Sequence, residues 1–172
     1  MKNLLTGLLL LCLPLVAPAA GGFAGVDYVF STIEPDKTSG SADVDALQFR
    51  FGTWLNAERT FGGEFRAALG LNDDDINGVD VEIDRHYGGY LRGQFPGNVP
   101  IRPYGLIGVT RVETTEKLGA GSDSEDYFGL SLGLGAEMDM QKNVFLTLEY
   151  LRAIDSGGDE ISNLSLGIGG RF

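Results

Sequence analysis

Cysteine is almost absent from this 172-residue chain, and the only one, Cys12, falls inside the first apolar run. No disulfide framework can staple such a fold. Long apolar runs are missing beyond that first stretch, so no segment can serve as a transmembrane helix. Basic residues are scarce, 13 against 24 acidic, which disfavours nucleic acid and other polyphosphates as partners. Proline is sparse, at six, and apolar residues nowhere recur at helical spacing. Histidine occurs once, at His86.

What the chain does have begins with a leader. Met1-Lys2 supplies a positive charge, Leu4 to Val16 is apolar, and Ala17-Pro18-Ala19 forms an A-x-A site. Residues 1–19 therefore read as a signal peptide cleaved after Ala19, with residues 20–172 as one exported domain. A lipoprotein reading of Cys12 fits poorly, because bulky Leu11 precedes it. Loss of Lys2 leaves 12 basic residues against 24 acidic ones, a formal charge of −12.

The 26 glycines and the period-two alternation of apolar residues predict an all-β chain. The clearest segment is the last: Leu164, Leu166, Ile168 and Phe172 share one parity, and Ser165, Gly167, Gly169 and Arg171 the other. Seven more segments alternate: Phe23–Ile33, Ala46–Leu55, Thr60–Leu71, Val79–Phe95, Ile101–Val112, Phe128–Glu137 and Val144–Tyr150. In the fifth, Tyr104, Leu106, Thr110 and Val112 are read as the apolar face and Gly105, Ile107, Val109 and Arg111 as the opposite one. Short connections (56–59, 96–100, 139–143) alternate with longer acidic ones (34–45, 72–78, 113–126, 153–160).

One face of these strands carries Arg50, Glu64, Arg66, Arg92, Arg111, Glu137, Glu149 and Arg171 with glycines between, and Asp27 on the same parity. A water-soluble barrel would turn such charges outward and would not leave that face so rich in glycine. Inside a narrow barrel, glycine makes room for long charged neighbours. The Leu/Phe/Val face then meets lipid, with Phe61, Phe95, Tyr104 and Phe172 near the short turns and Phe30, Tyr87, Phe128 and Tyr150 towards the long connections. Aromatic girdles of this kind mark two membrane interfaces. An open sheet edge in hydrocarbon would leave backbone groups unpaired at several kcal/mol each, so the last strand is expected to close on the first. The predicted fold is an eight-stranded antiparallel up-and-down transmembrane β-barrel, with its short turns in the periplasm.

This pattern of signal, eight strands, asymmetric connections and terminal Leu166-Gly167-Ile168-Gly169-Gly170-Arg171-Phe172 resembles the small outer-membrane barrels: the OmpA transmembrane domain, OmpX and the opacity proteins. The resemblance implies location in the bacterial outer membrane, among outer-membrane lipid and lipopolysaccharide. It also implies that Leu166, Ile168 and Phe172 form the assembly signal read by the outer-membrane assembly machinery. No peptidoglycan-binding domain is expected beyond the barrel, and a monomer is expected. Some relatives are lipid A-modifying enzymes, but His86 is followed by Tyr87 and Gly88, so the His-x-Ser arrangement of the deacylases is missing.

Asp73, Asp75, Asn77 and Asp84 match the spacing of a calcium loop, although the alternation of Val79 to Ile83 reads as a strand and Asn77-Gly78 as a hairpin turn. No cofactor is expected. Eight strands enclose just enough room for side chains, so the inward charges should pair into a plug. The expected role is structural or adhesive, carried by the acidic outer loops. A narrow porin-like channel is the alternative, and a lipid-modifying enzyme a distant one.

Overall fold

The computed structural model describes residues 21–34, 42–71, 73–76, 79–97, 99–118, 121–155 and 160–172. The expected leader, residues 1–19, lies outside the described residues, as do parts of the connections read at 34–45 and 153–160. Among the described residues nine strands are formed: β1 (Gly22–Glu34), β2 (Ala42–Trp54), β3 (Phe61–Gly70), β4 (Asp73–Ile76), β5 (Val79–Gln94), β6 (Ile101–Leu118), β7 (Gly121–Gln141), β8 (Val144–Asp155) and β9 (Glu160–Arg171). β3 and β4 both pair with β5 and are successive pieces of one barrel strand, so the barrel is eight-stranded. All pairings are antiparallel between neighbours, and β9 closes on β1 with Val26 opposite Ile168 and Phe30 opposite Leu164. The backbones of Gly22 and Phe172 exchange two hydrogen bonds, 2.8 and 2.9 Å, at the end that carries the short turns.

Turn chemistry explains that end. Between β2 and β3 the Asn56 side chain accepts from the backbone N–H groups of Thr60 and Phe61 (2.9 and 3.0 Å), while Arg59 takes a positive φ of 55°. β7 and β8 are joined through Lys142 and Asn143 alone.

The partition of side chains is inverted relative to a water-soluble domain. Leu, Phe and Val lie on the outside, Leu134 at 73% exposure, whereas Asp27, Arg50, Glu64, Arg66, Arg92, Glu137 and Glu149 are buried inside. Glycine opens space for them. A Cβ on Gly167 would sit 1.7 Å from Asp27 Oδ1, and one on Gly52 would sit 2.1 Å from the Phe23 ring.

Three expectations change. In β6 the parity is the reverse of the expected one: Tyr104, Leu106 and Thr110 face the interior, while Ile107, Val109 and Arg111 face outward. A one-residue slip in parity moves a whole strand's side chains to the other face. The inward polar bonds of Tyr104 and Thr110 decide it here. Tyr104 therefore leaves the aromatic girdle. Second, the connections at 72–78 and 113–126 are largely strand: Asp73–Ile76 ladders against Val79–Glu82, and Val112–Leu118 against Gly121–Tyr127. Third, the proposed calcium loop is not a loop over Asp73 and Asp75. These stand opposite Glu82 and Asp80 in a straight ladder, Asp84 falls at a register shift between Ile83 and Arg85, and Asn77 lies outside the described residues.

Candidate functional site: a charge-filled interior

Alternation along β1, β2, β3, β5, β7 and β8 delivers a charged side chain inward from each, and the small circumference brings them into contact. Arg50 donates from Nε and Nη2 to Asp27 at 2.7 and 2.5 Å, and Gln48 and Thr147 add further donors to the same carboxylate. Arg66 on β3 donates both terminal nitrogens to Glu149 on β8, Nη2 at 2.8 Å. These two strands are four places apart in either direction round the barrel, so this ion pair spans the lumen. Arg66 Nε also donates to Glu64 at 2.7 Å. Arg92 bridges Glu64 and Glu137 at 3.2 and 2.6 Å, with its guanidinium 3.6 Å from the centre of the Tyr104 ring. Tyr104 donates its hydroxyl to Glu149 at 2.7 Å.

The network continues to the short-turn mouth, where Arg171 joins Glu137 and Asp139 (2.5 and 2.7 Å) and Arg102 chelates Asp139. Five arginines (50, 66, 92, 102, 171) thus meet five carboxylates (27, 64, 137, 139, 149). Burial of charge is tolerable only with such pairing and hydrogen bonding. Beneath it, Phe23, Trp54 and Phe145 form an aromatic layer, with Phe23 centred 5.4 Å from Trp54.

Of the expected lumen residues, Arg50, Glu64, Arg66, Arg92, Glu137, Glu149 and Arg171 come together and Arg111 does not: it is exposed on the outer face. Arg102 and Asp139 take part instead. Reading β6 with Thr110 inward would have placed Arg102 correctly, because both residues have even numbers. His86 is buried inside, opposite Ala68 and Val112 in register. Leu166, Ile168 and Phe172 lie exposed on the lipid face, and Phe172 stacks on Phe51 with ring centres 6.1 Å apart.

An apolar outer wall, a closed strand order and a self-neutralised interior define an integral outer-membrane β-barrel protein. The chain belongs to the family described as outer membrane protein beta-barrel domain, whose model matches residues 4–172. It is 26% identical over 132 residues to a 22 kDa outer membrane protein of Rhizobium leguminosarum bv. viciae, a match covering 69% of this chain and 62% of that protein. In fold it is similar to Neisserial surface protein A (TM-score 0.73, 16% identity, 88% of this chain and 97% of that one). It is similar also to Ail, the attachment invasion locus protein of Yersinia pestis (TM-score 0.68, 16% identity, 89% and 99%). The protein resides in the bacterial outer membrane.

Proposed function

We propose that this protein acts at the cell surface by contact, as a monomeric barrel that holds an acidic outer sheet towards a basic partner. The observation that carries this reading is a register in which acids stand opposite acids. Asp73 stands opposite Glu82, Asp75 opposite Asp80, Glu113 opposite Asp126 and Glu116 opposite Asp123 in register, and the neighbouring β5–β6 ladder offsets only two of these eight acids, with Arg85 opposite Glu113 and Lys117 opposite Asp80. Like charges directly opposite one another destabilise a sheet, so a partner that supplies positive charge is favoured there. The β6–β7 ladder runs from Val112 opposite Tyr127 to Leu118 opposite Gly121, roughly 20 Å of hairpin at about 3.4 Å per residue.

The lumen-spanning Arg66–Glu149 pair favours a scaffold over a channel. In this reading no chemistry is catalysed: His86 is turned to the interior, away from the lipid face. Lipopolysaccharide is the surrounding lipid, and the assembly machinery reads β9. The similarity in fold to a protein named for attachment and invasion supports the same class of role.

Trimming Thr114–Glu125 to a tight turn is expected to leave a heat-resistant barrel while cells lose adhesion to surfaces coated with basic protein. Planar-bilayer recordings should show no steady pore for either form. Retained adhesion, or a pore that Arg66→Gln alters, would move the function to the interior.

A further inference from the structure

The lipid-facing wall is not bulky everywhere. Gly63 on β3, Gly89 and Gly93 on β5 and Gly105 on β6 all have outward parity. A Cβ built on Gly63, Gly89 or Gly93 would meet nothing within 4 Å, and one on Gly105 would come no closer than 3.8 Å to a neighbour. Gly93 and Gly105 stand opposite each other in register, so they form a floor that carries no side chain. Phe61 on β3 and Leu134 on β7 flank it in the same register row, and Leu91 and Ile107 stand above it. These residues bound a cleft of about 690 Å³ in the wall. A second cleft of about 400 Å³ shares Gly93, Gly105 and Leu134 with it and reaches Phe95, Pro96 and Pro103 at the short-turn end. The two form one groove, whose upper end is Tyr150 and Arg152 on β8.

The direction of the groove follows from the register. The Phe95 N–H bonds Pro103, Pro103 stands opposite Ala136 and Ala136 opposite Leu148, with Arg152 one more turn of alternation up β8. From Phe95 to Arg152 the groove therefore spans roughly 20 Å, at about 4.8 Å per strand interval and 3.3 Å per residue. A register row followed from Ala24 through β2, β3, β5, β6 and β7 arrives at Ile154 on β8, whereas the direct route through β9 arrives at Val144. Rows thus climb towards the outer end in the direction from β5 to β8. The groove climbs in the same sense, so strand tilt brings it close to the membrane normal.

These features select the occupant. The groove is continuous with the wall that faces the bilayer, and its lining is apolar up to Arg152, which is engaged by Glu160. A second barrel is convex and would rest on the ridges at Phe61 and Leu134, leaving the glycine floor empty and its van der Waals contacts unmade. An extended acyl chain is narrow, apolar and aligned with the membrane normal. The bare floor lies towards the short-turn end, next to Phe95, so the chain comes from the periplasmic leaflet. We propose that this groove seats one acyl chain of a periplasmic-leaflet phospholipid along Gly93 and Gly105, as a fixed part of the folded barrel. The site does not depend on the outer acidic sheet.

Gly93→Leu/Gly105→Leu fills the floor, and Gly63→Leu/Gly89→Leu adds the same bulk at open outward positions beside it. Because every added Cβ has room, both variants should fold, which heat-modifiable migration in gels checks. Full-length mature barrels are purified from outer membranes in mild detergent and weighed by native mass spectrometry. Wild type and Gly63→Leu/Gly89→Leu should each retain one phospholipid, and Gly93→Leu/Gly105→Leu should lower the retained fraction at least several-fold. The proposal is overturned if wild type retains no phospholipid, if the retained lipid is lipid A, or if the two variants keep or lose it equally. A wild-type dimer that Gly93→Leu/Gly105→Leu separates into monomers overturns it as well, because the groove would then hold a second copy of the chain.

Discussion

Glu149→Leu is expected to lower the stability of the barrel by about 3–5 kcal/mol, the usual effect of removing one partner from a buried ion pair. Glu149 accepts from both terminal nitrogens of Arg66 and from the Tyr104 hydroxyl, and Arg50 Nη1 lies 3.8 Å away. Without that carboxylate the guanidinium groups of Arg66 and Arg50 lose a partner in the lumen, and Arg50 Nη1 already has no hydrogen-bond acceptor among the described residues. Urea unfolding from phospholipid vesicles measures the loss as a fall in midpoint at unchanged slope. The double variant Glu149→Leu/Arg66→Met should recover most of it, because an apolar replacement of a whole buried pair is often neutral. A single variant within about 0.5 kcal/mol of wild type, the usual range for substitutions away from such features, would show that the interior is open to water and not a closed plug.

On the outer wall, Leu134→Arg is expected to cost roughly 2–4 kcal/mol, the value for arginine facing lipid at the bilayer midplane. Leu134 is the most exposed of the large apolar residues and stands between Gly105 and Tyr150 in register. Leu134 lies midway along the outward row of β7 between Phe128, in the aromatic girdle towards the long connections, and Met140 at the short-turn end, which puts it near mid-depth. Met140→Arg, on the same face but at the end of β7, should cost no more than about 1 kcal/mol. The same vesicle titration compares the two. Equal shifts would mean that depth along β7 is assigned wrongly.

How much of this could be read beforehand differs from strand to strand. In β3, Phe61, Phe65 and Leu69 oppose Glu64 and Arg66, so parity is explicit and both faces were assigned correctly. In β7 the leucines at 130, 132 and 134 against Ser131 and Gly133 are equally explicit. β6 mixes the signals: Ile107 and Val109 share a parity with Arg111, and Leu106 shares one with Tyr104 and Thr110. Composition cannot separate a lipid-facing isoleucine from a lumen-facing leucine packed on Tyr90 and Leu151. The acidic stretches at 72–78 and 113–126 misled for a related reason. Charge density suggests a solvated loop, yet a two-stranded ladder anchored in a barrel below can continue through polar residues, because its register is already set.

Local alternation made the strand count, the inside-out partition outside β6 and most of the charged set legible in the chain, and the site of closure followed from the cost of an open sheet edge in hydrocarbon. The tertiary structure alone decided which charges meet. That Arg66 reaches Glu149 across the lumen and that Arg102 and Asp139 join the network in place of Arg111 both follow from the circumference of eight strands and from pairing register. These set distances between residues far apart in the chain, and no local pattern encodes them.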